Sequence, residues 1–176
     1  GLEPVTEHAF CWVVDFPLFE PDPVTGEPVP AHHPFTAPHA DDLGLLERNP
    51  AACRAQHYDV VYNGNELGSG SIRITDPAVQ SLIFRLLGLK EEEVTQRFGF
   101  LLEGLRSGAP PHGGFAIGFD RVAMLLAGAA SLRDVIAFPK TTAARALYEG
   151  APAPVTDADL RDLHLALQSR EDRDGG

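Results

Sequence analysis

Apolar residues recur along this chain with two different periods, and the change from one to the other marks where strands give way to helices. Phe10 to Phe16 is a short run rich in aromatic and β-branched residues and predicts a buried strand. Tyr58 to Asn63 and Glu66 to Thr75 read as two further strands, joined through Asn63-Gly64-Asn65, a strong hairpin signal. The period then lengthens. Asp76-Pro77 predicts the start of a helix over Ala78 to Leu87, with Asp76 as N-cap and Pro77 in the first turn. A second helix is expected from about Lys90 to Arg106. Its apolar positions Val94, Phe98, Leu101, Leu102 and Leu105 fall on one face, and Gly108 with Pro110-Pro111 stops it. A strand over Gly113 to Gly118 and a helix beginning near Asp120 follow.

Between these elements the pattern is weaker. Glu20 to Pro30 reads as a turn-rich loop, and His32 to Pro38 as an extended segment because Pro34 and Pro38 disfavour helix before them. Asp41 to Asn49 predicts a short helix with an acidic start. A last helix is expected over about Asp157 to Gln168, so that residues 1–168 form the folded part and residues 169–176 a charged, disordered tail. No internal repeat is visible. Hairpin-linked strands flanked by helices favour an α+β domain built on an antiparallel sheet.

The chain has 176 residues, with 44% hydrophobic and 22% charged, enough for one domain with a real core. A formal net charge of -11 argues against a surface that grips nucleic acid through its phosphates, although another part of a larger protein can supply that grip. Cys11 and Cys53 are the only cysteines, and their spacing suggests neither a metal site nor a disulfide framework. With no long apolar span, the expectation is a cytoplasmic protein that does not associate with membranes. An opening at Gly1 without Met reads as a piece of a longer polypeptide, or as a cloning scar.

Several residues are candidates for chemistry. Arg121 stands where an apolar strand-like run meets an apolar helix-like run, a costly place for a permanent charge unless an anion or a flat ring meets it. A guanidinium there can stack on a base and face a phosphate; equally, it can pair with Asp120 or another carboxylate and tie strand to helix. Strand alternation brings Asp59 towards Glu66 across the hairpin turn. Two such carboxylates suit Mg²⁺ with phosphates completing its shell, or are simply solvated acids at a strand end. Gly68-Ser69-Gly70-Ser71 is poor in side chains and offers close approach to the backbone, or else a plain bulge; it lacks the ending of a phosphate-binding P-loop. Arg73, between Ile72 and Ile74, clamps a carboxylate if its face lines a pocket, and otherwise makes an exposed cross-strand ion pair. His32 and His33 point opposite ways on an extended segment, which disfavours a shared metal and leaves one to donate to an anion or both to be ordinary loop histidines. Lys140 answers a phosphate or lies on the surface.

The order of these motifs is more specific than any one of them. Phe16-Pro-Leu-Phe-Glu20, His32-His-Pro-Phe-Thr36, Asn63-Gly-Asn-Glu66, Gly68-Ser-Gly-Ser-Ile-Arg73, Pro110-Pro-His-Gly-Gly114, Gly118-Phe-Asp-Arg121 and Phe138-Pro-Lys-Thr141 follow one another. Together they resemble the C-terminal part of the catalytic domain of bacterial-type aspartyl-tRNA synthetases, class II enzymes, over about Cys11 to Glu149. The resemblance implies ATP-dependent activation of aspartate to aspartyl-adenylate and its transfer to tRNA. Arg121 would stack on adenine and face the ATP phosphates, with Gly118, Phe119 and Asp120 shaping that site. Glu66 and Asp59 would hold Mg²⁺, Arg73 would pair with the side-chain carboxylate of aspartate, and His32 and His33 would order the amino acid. The family resemblance also implies a homodimer.

Two departures stand out: Phe119 where Leu is usual, and Ser69 where a third glycine is common in bacterial members. The family's first two signature motifs, the anticodon-binding barrel and the inserted domain should precede this chain, so the segment alone is expected to be inactive and poorly folded. Two other readings stay open. One is an aspartate-adenylating amide synthetase on the same fold, which uses ammonia and makes asparagine. The other is a non-catalytic module that binds a partner or a nucleotide.

Overall fold

All five residues of the first strand, β1 (Phe10–Val14), are exposed in the computed structural model, which describes residues 7–167. The buried strand expected from composition is therefore corrected. β1 has a ladder partner on one side only, and nothing among the described residues covers Phe10 (67% exposed), Trp12 (61%) or Val14 (56%). Apolar composition reports what a strand can bury; what lies over it decides whether it does.

The expected loop over Glu20 to Pro30 instead contains a two-stranded ribbon, β2 (Phe19–Pro21) and β3 (Pro28–Pro30). Its free edges have no ladder bonds to lose, which is why they tolerate Pro21, Pro28 and Pro30. Asp22 closes the turn by accepting hydrogen bonds from the Val24 and Thr25 amides at 2.8 Å. A short 3-10 turn over Ala40–Leu45 replaces the expected helix. Its Asp42 is buried and accepts from Arg54 at Nε (2.8 Å), Nη2 (3.1 Å) and the backbone amide (2.9 Å). These charge-assisted bonds hold the Asp42 carboxyl down at about 2 and anchor the turn beside the sheet.

β4 (His57–Tyr62) and β5 (Asn65–Ile72) form the predicted hairpin. Asn63 and Gly64 take φ of 45° and 80°, the paired positive values of the tight turn that suits strand twist. With β6 (Gly113–Ile117) they make a four-stranded antiparallel sheet in the order β1-β4-β5-β6. Two helices follow the hairpin as expected. α1 (Pro77–Leu86) is capped by Asp76, which accepts from the Ala78 amide at 2.7 Å. α2 (Glu91–Arg106) starts with three glutamates that favour its positive end, and Gly108 leaves it at φ 102°. Leu18, Phe19, Leu46, Cys53, Ile74 and Ile83 form one core under the hairpin's end. Phe84, Val94 and Leu102 form a second between the helices.

The chain divides into two compact units, Gly1–Val122 and Ala123–Gly176. The first holds the sheet, α1, α2 and the start of α3 (Phe119–Leu126). Within the second, Phe138 stacks on Tyr148 at 4.5 Å, and Arg133 Nε donates to the Lys140 carbonyl at 3.2 Å. The last helix, α4 (Asp157–Asp162), is shorter than the sequence pattern predicts. His164 takes φ 54° and turns the chain so that the Leu165 amide reaches back to the Leu160 carbonyl at 2.8 Å. The tail expected over residues 169–176 lies outside the described residues. No helix among them is long and apolar enough to cross a membrane.

Candidate functional site

Pleating sends alternate side chains of β4 and β5 to opposite faces, and the chemistry gathers on one of them. His57 lies opposite Ser71 and Asp59 opposite Ser69, so these four share a face. Tyr58, Gly68 and Gly70 share the other, beside Phe115 of β6. A Cβ on Gly68 would fall 2.7 Å from the Phe115 ring, and one on Gly70 2.6 Å from the Tyr58 ring. The glycines thus admit the protein's own aromatic rings and the adjacent β6 backbone. Of the two readings of this stretch, the bulge is present, between Gly68 and Glu66.

A bulge breaks simple alternation. Val60 pairs with Gly68 but Val61 with Glu66, which leaves Leu67 as the extra residue. Glu66 consequently meets Arg121: its Oε1 lies 3.4 Å from Arg121 Nη1, which also donates to the Glu66 carbonyl at 2.5 Å. Of the two readings of Arg121, the strand-to-helix tie is present, with Glu66 as partner in place of Asp120. Gly118 packs against it, at ordinary contact distance from Arg121 Cδ for a built Cβ (3.4 Å). Its amide bonds to the Leu67 carbonyl at 2.8 Å. Phe119 stays 79% exposed.

The histidine pair departs further from expectation. A turn closed by the Thr36 amide on the His33 carbonyl (3.2 Å) interrupts the start of the expected extended segment, whose Thr36 and Pro38 do pair as β-bridges, and the two rings converge with centroids 4.4 Å apart. His32 stacks on His57 at 4.2 Å and 8°, while His33 bonds to the Ser71 hydroxyl (3.3 Å) and to the Arg73 guanidinium. His57 was not singled out from the sequence. Its position two residues before Asp59 in a strand, hence on the same face, was the available signal.

Arg73 lies just beyond β5, its amide bonded to the His112 carbonyl at 3.0 Å and the next amide, that of Ile74, to the Phe35 carbonyl at 3.0 Å. Held from both sides, it lines a cavity of about 680 Å³ with His33, Phe35, Phe98 and His112. Among the described residues it meets no carboxylate, so the alternative of a cross-strand ion pair is not realised. Arg121 is not in that lining.

Electrostatics follow from this packing. Burial, and then the Arg73 charge, push His33 down to about 4, so its ring is neutral at pH 7. Burial, His57 and Arg73 also lower His32, with Asp59 and Glu66 pulling the other way, which puts both carboxylates within electrostatic reach of the same ring. Because His33 titrates lower folded than unfolded, the unfolded chain binds the extra proton between its ordinary 6.5 and about 4. Stability from this group is therefore full above 6.5 and lost as pH falls through that window. In ring-proton NMR its midpoint is expected near 4 and should rise when Arg73 is made neutral; a midpoint at 6.5 contradicts the packing.

One oxygen is orphaned. Asp59 Oδ1 is buried without a hydrogen bond; His57 Nε2 lies 3.1 Å away but is also 2.9 Å from Ser69 Oγ. A bare buried carboxylate oxygen is costly unless a donor or cation meets it. No cluster of three or more His, Cys, Asp or Glu that could hold a metal occurs among the described residues. Two carboxylates alone fit Mg²⁺, which takes most of its shell from phosphate and water.

A family model described as class II tRNA synthetases (D, K and N) matches residues 3–142. The chain is 56% identical over 167 residues to an aspartate–tRNA ligase of Geobacillus kaustophilus, covering 95% of this chain and 28% of the relative. It is 58% identical over 161 residues to an aspartate–tRNA(Asp/Asn) ligase of Acidobacterium capsulatum, covering 90% and 26%. The chain thus spans about a quarter of the length of the curated relatives it matches. Among solved structures it is similar to an aspartyl-tRNA synthetase of Entamoeba histolytica, with TM-score 0.54 and 27% identity over 76% of this chain and 23% of that one. An asparaginyl-tRNA synthetase of Pyrococcus horikoshii, at TM-score 0.54 and 19% identity over 76% of this chain and 27% of that one, shares the fold.

Proposed function

We propose, since the chain belongs to the class II tRNA synthetases (D, K and N), that it is the C-terminal part of the catalytic domain of an aspartate–tRNA ligase. The observation that carries the reading is the Arg73 guanidinium, fixed by backbone on both sides, lining a cavity and lacking an acidic partner among the described residues. A charge so placed calls for an anion, and its planar fork matches a carboxylate. High identity to ligases named for aspartate supports aspartate as that anion.

In this reading the parent protein activates aspartate with ATP. The α-carboxylate of the amino acid attacks the α-phosphorus, pyrophosphate leaves, and a ribose hydroxyl of tRNA then attacks the mixed anhydride to release AMP. The chain's residues bind and orient. Arg73 takes the side-chain carboxylate, and neutral His33, bonded to Arg73 and Ser71, steadies it without adding charge. His32 orders the amino acid from the same turn. Arg121, steered by Glu66, stacks on adenine and faces the phosphates, with Gly118, Phe119 and Asp120 shaping that end. Asp59 and Glu66 hold Mg²⁺, which neutralises charge on the triphosphate when bound. Acceleration comes from alignment and charge stabilisation, with little proton transfer by the protein. The protein works as a cytoplasmic homodimer, and tRNA is gripped mainly by segments other than this acidic one.

The test is aspartate-dependent exchange of pyrophosphate into ATP by the polypeptide that carries this chain, with a product assay beside it. Exchange with aspartate and formation of aspartyl-tRNA are expected. Free asparagine formed from ammonia would identify an amide synthetase, and absence of exchange a non-catalytic module.

A further inference from the structure

His57 does no work in the reaction just described, yet it is the most constrained imidazole of the site. The residue is only 9% exposed and its ring lies between Phe16 (centroids 4.3 Å, 33°) and His32 (4.2 Å, 8°), so it has little freedom to tilt. Its Nε2 sits between two oxygens, Ser69 Oγ at 2.9 Å and Asp59 Oδ1 at 3.1 Å. Those oxygens belong to residues facing each other across the β4–β5 ladder. Ser69 is also one of the two places where the chain departs from the resemblance described above, having a hydroxyl where glycine is common. The departure now has a partner: a serine at this register is what reaches the His57 ring.

A carboxylate that ligates a cation is usually itself held by a hydrogen bond, and losing that bond costs about 10–100-fold in metal affinity. Asp59 Oδ1 accepts no hydrogen bond among the described residues; His57 Nε2, bonded to Ser69 Oγ at 2.9 Å, stands 3.1 Å from it. We propose that His57 is a positioning residue, clamped by Phe16, His32 and Ser69, whose Nε2–H fixes the Asp59 carboxylate for a divalent cation bound with ATP. The proposal rests on the reading of Asp59 as a ligand in an ATP-dependent ligase. It makes no use of a change in His57 charge: the ring acts as a fixed donor.

The experiment measures Mn²⁺ binding by electron paramagnetic resonance in the presence of a non-hydrolysable ATP analogue, on the polypeptide that carries this chain. His57→Ala should weaken Mn²⁺ about 10-fold, in the range a lost outer-shell bond gives. His57→Gln, whose amide nitrogen reaches the position of Nε2, should restore affinity to within about 3-fold of wild type. Ser69→Gly, which frees the ring without removing it, should fall between them. His57→Ala binding Mn²⁺ as wild type does, or His57→Gln binding as weakly as His57→Ala, overturns the proposal, because then the ring only fills space. A wild-type protein that shows aspartate-dependent exchange alongside either result leaves the ligase reading standing. One that shows neither exchange nor Mn²⁺ binding removes that reading, and this inference with it.

Discussion

Replacing Arg73 by Leu is expected to lower aspartate-dependent pyrophosphate exchange about 10³-fold while ATP still binds. Truncating one partner of a buried, hydrogen-bonded charge pair costs about 2–5 kcal/mol, and about 4 kcal/mol corresponds to that factor. The other guanidinium lining the cavity, Arg97, is engaged by Glu93 at 2.6 Å. The ring beside Arg73, His33, is neutral at pH 7, and the acids that act on the neighbouring His32, Asp59 and Glu66, carry the wrong sign for a carboxylate. Arg73→Lys keeps the charge but loses the fork, so it should recover only part of the activity. ATP binding by equilibrium dialysis separates a lost amino-acid site from a lost fold. Exchange within about 10-fold of wild type in Arg73→Leu would sink the assignment.

The second large effect concerns folding. Gly70→Ala is expected to destabilise the protein by about 3 kcal/mol or more, whereas Gly114→Ala, one register position away on β6, should change stability by less than about 1 kcal/mol. The two glycines look alike in sequence. A Cβ at Gly70 would run into the Gly114 carbonyl and lie 2.6 Å from the Tyr58 ring, and a backbone carbonyl cannot step aside without parting β5 from β6. A Cβ at Gly114 meets nothing within 4 Å. Urea midpoints of the two variants make the comparison, and equal losses would contradict the packing described for the sheet.

The contrast shows what could be read from the residues alone. Features whose cause is local were legible: the Asn63-Gly64 turn, the Asp76-Pro77 start of α1, the single apolar face of α2. The α+β class followed from them and agrees with the solved relatives. Features fixed by a neighbouring strand were not legible. Leu67 bulges because of how β4 and β5 register, which sets Glu66 opposite Val61, on the face of Asp59, and it also meets Arg121. Ser69 looked like a mere departure until His57 was found within bonding distance of its hydroxyl. The His32-His33 pair turns back on itself because its carbonyl finds the Thr36 amide, a contact that proline-based reasoning about extended chain does not anticipate. Of the site residues drawn from the resemblance, His32, His33 and Arg73 come together in one group and Glu66 and Arg121 in another, by contacts that the resemblance did not describe.

The chain's lone indole, Trp12, sits on the outward face of β1 with its ring 5.9 Å from that of Phe115 and 6.2 Å from that of Tyr58. Solvent reaches most of it, so the free segment should emit red-shifted light that iodide quenches readily. Any further stretch of polypeptide that settles over this aromatic sheet face would blue-shift and shield the signal. Assembly of a complete catalytic domain around the segment can then be followed by fluorescence, with no label attached.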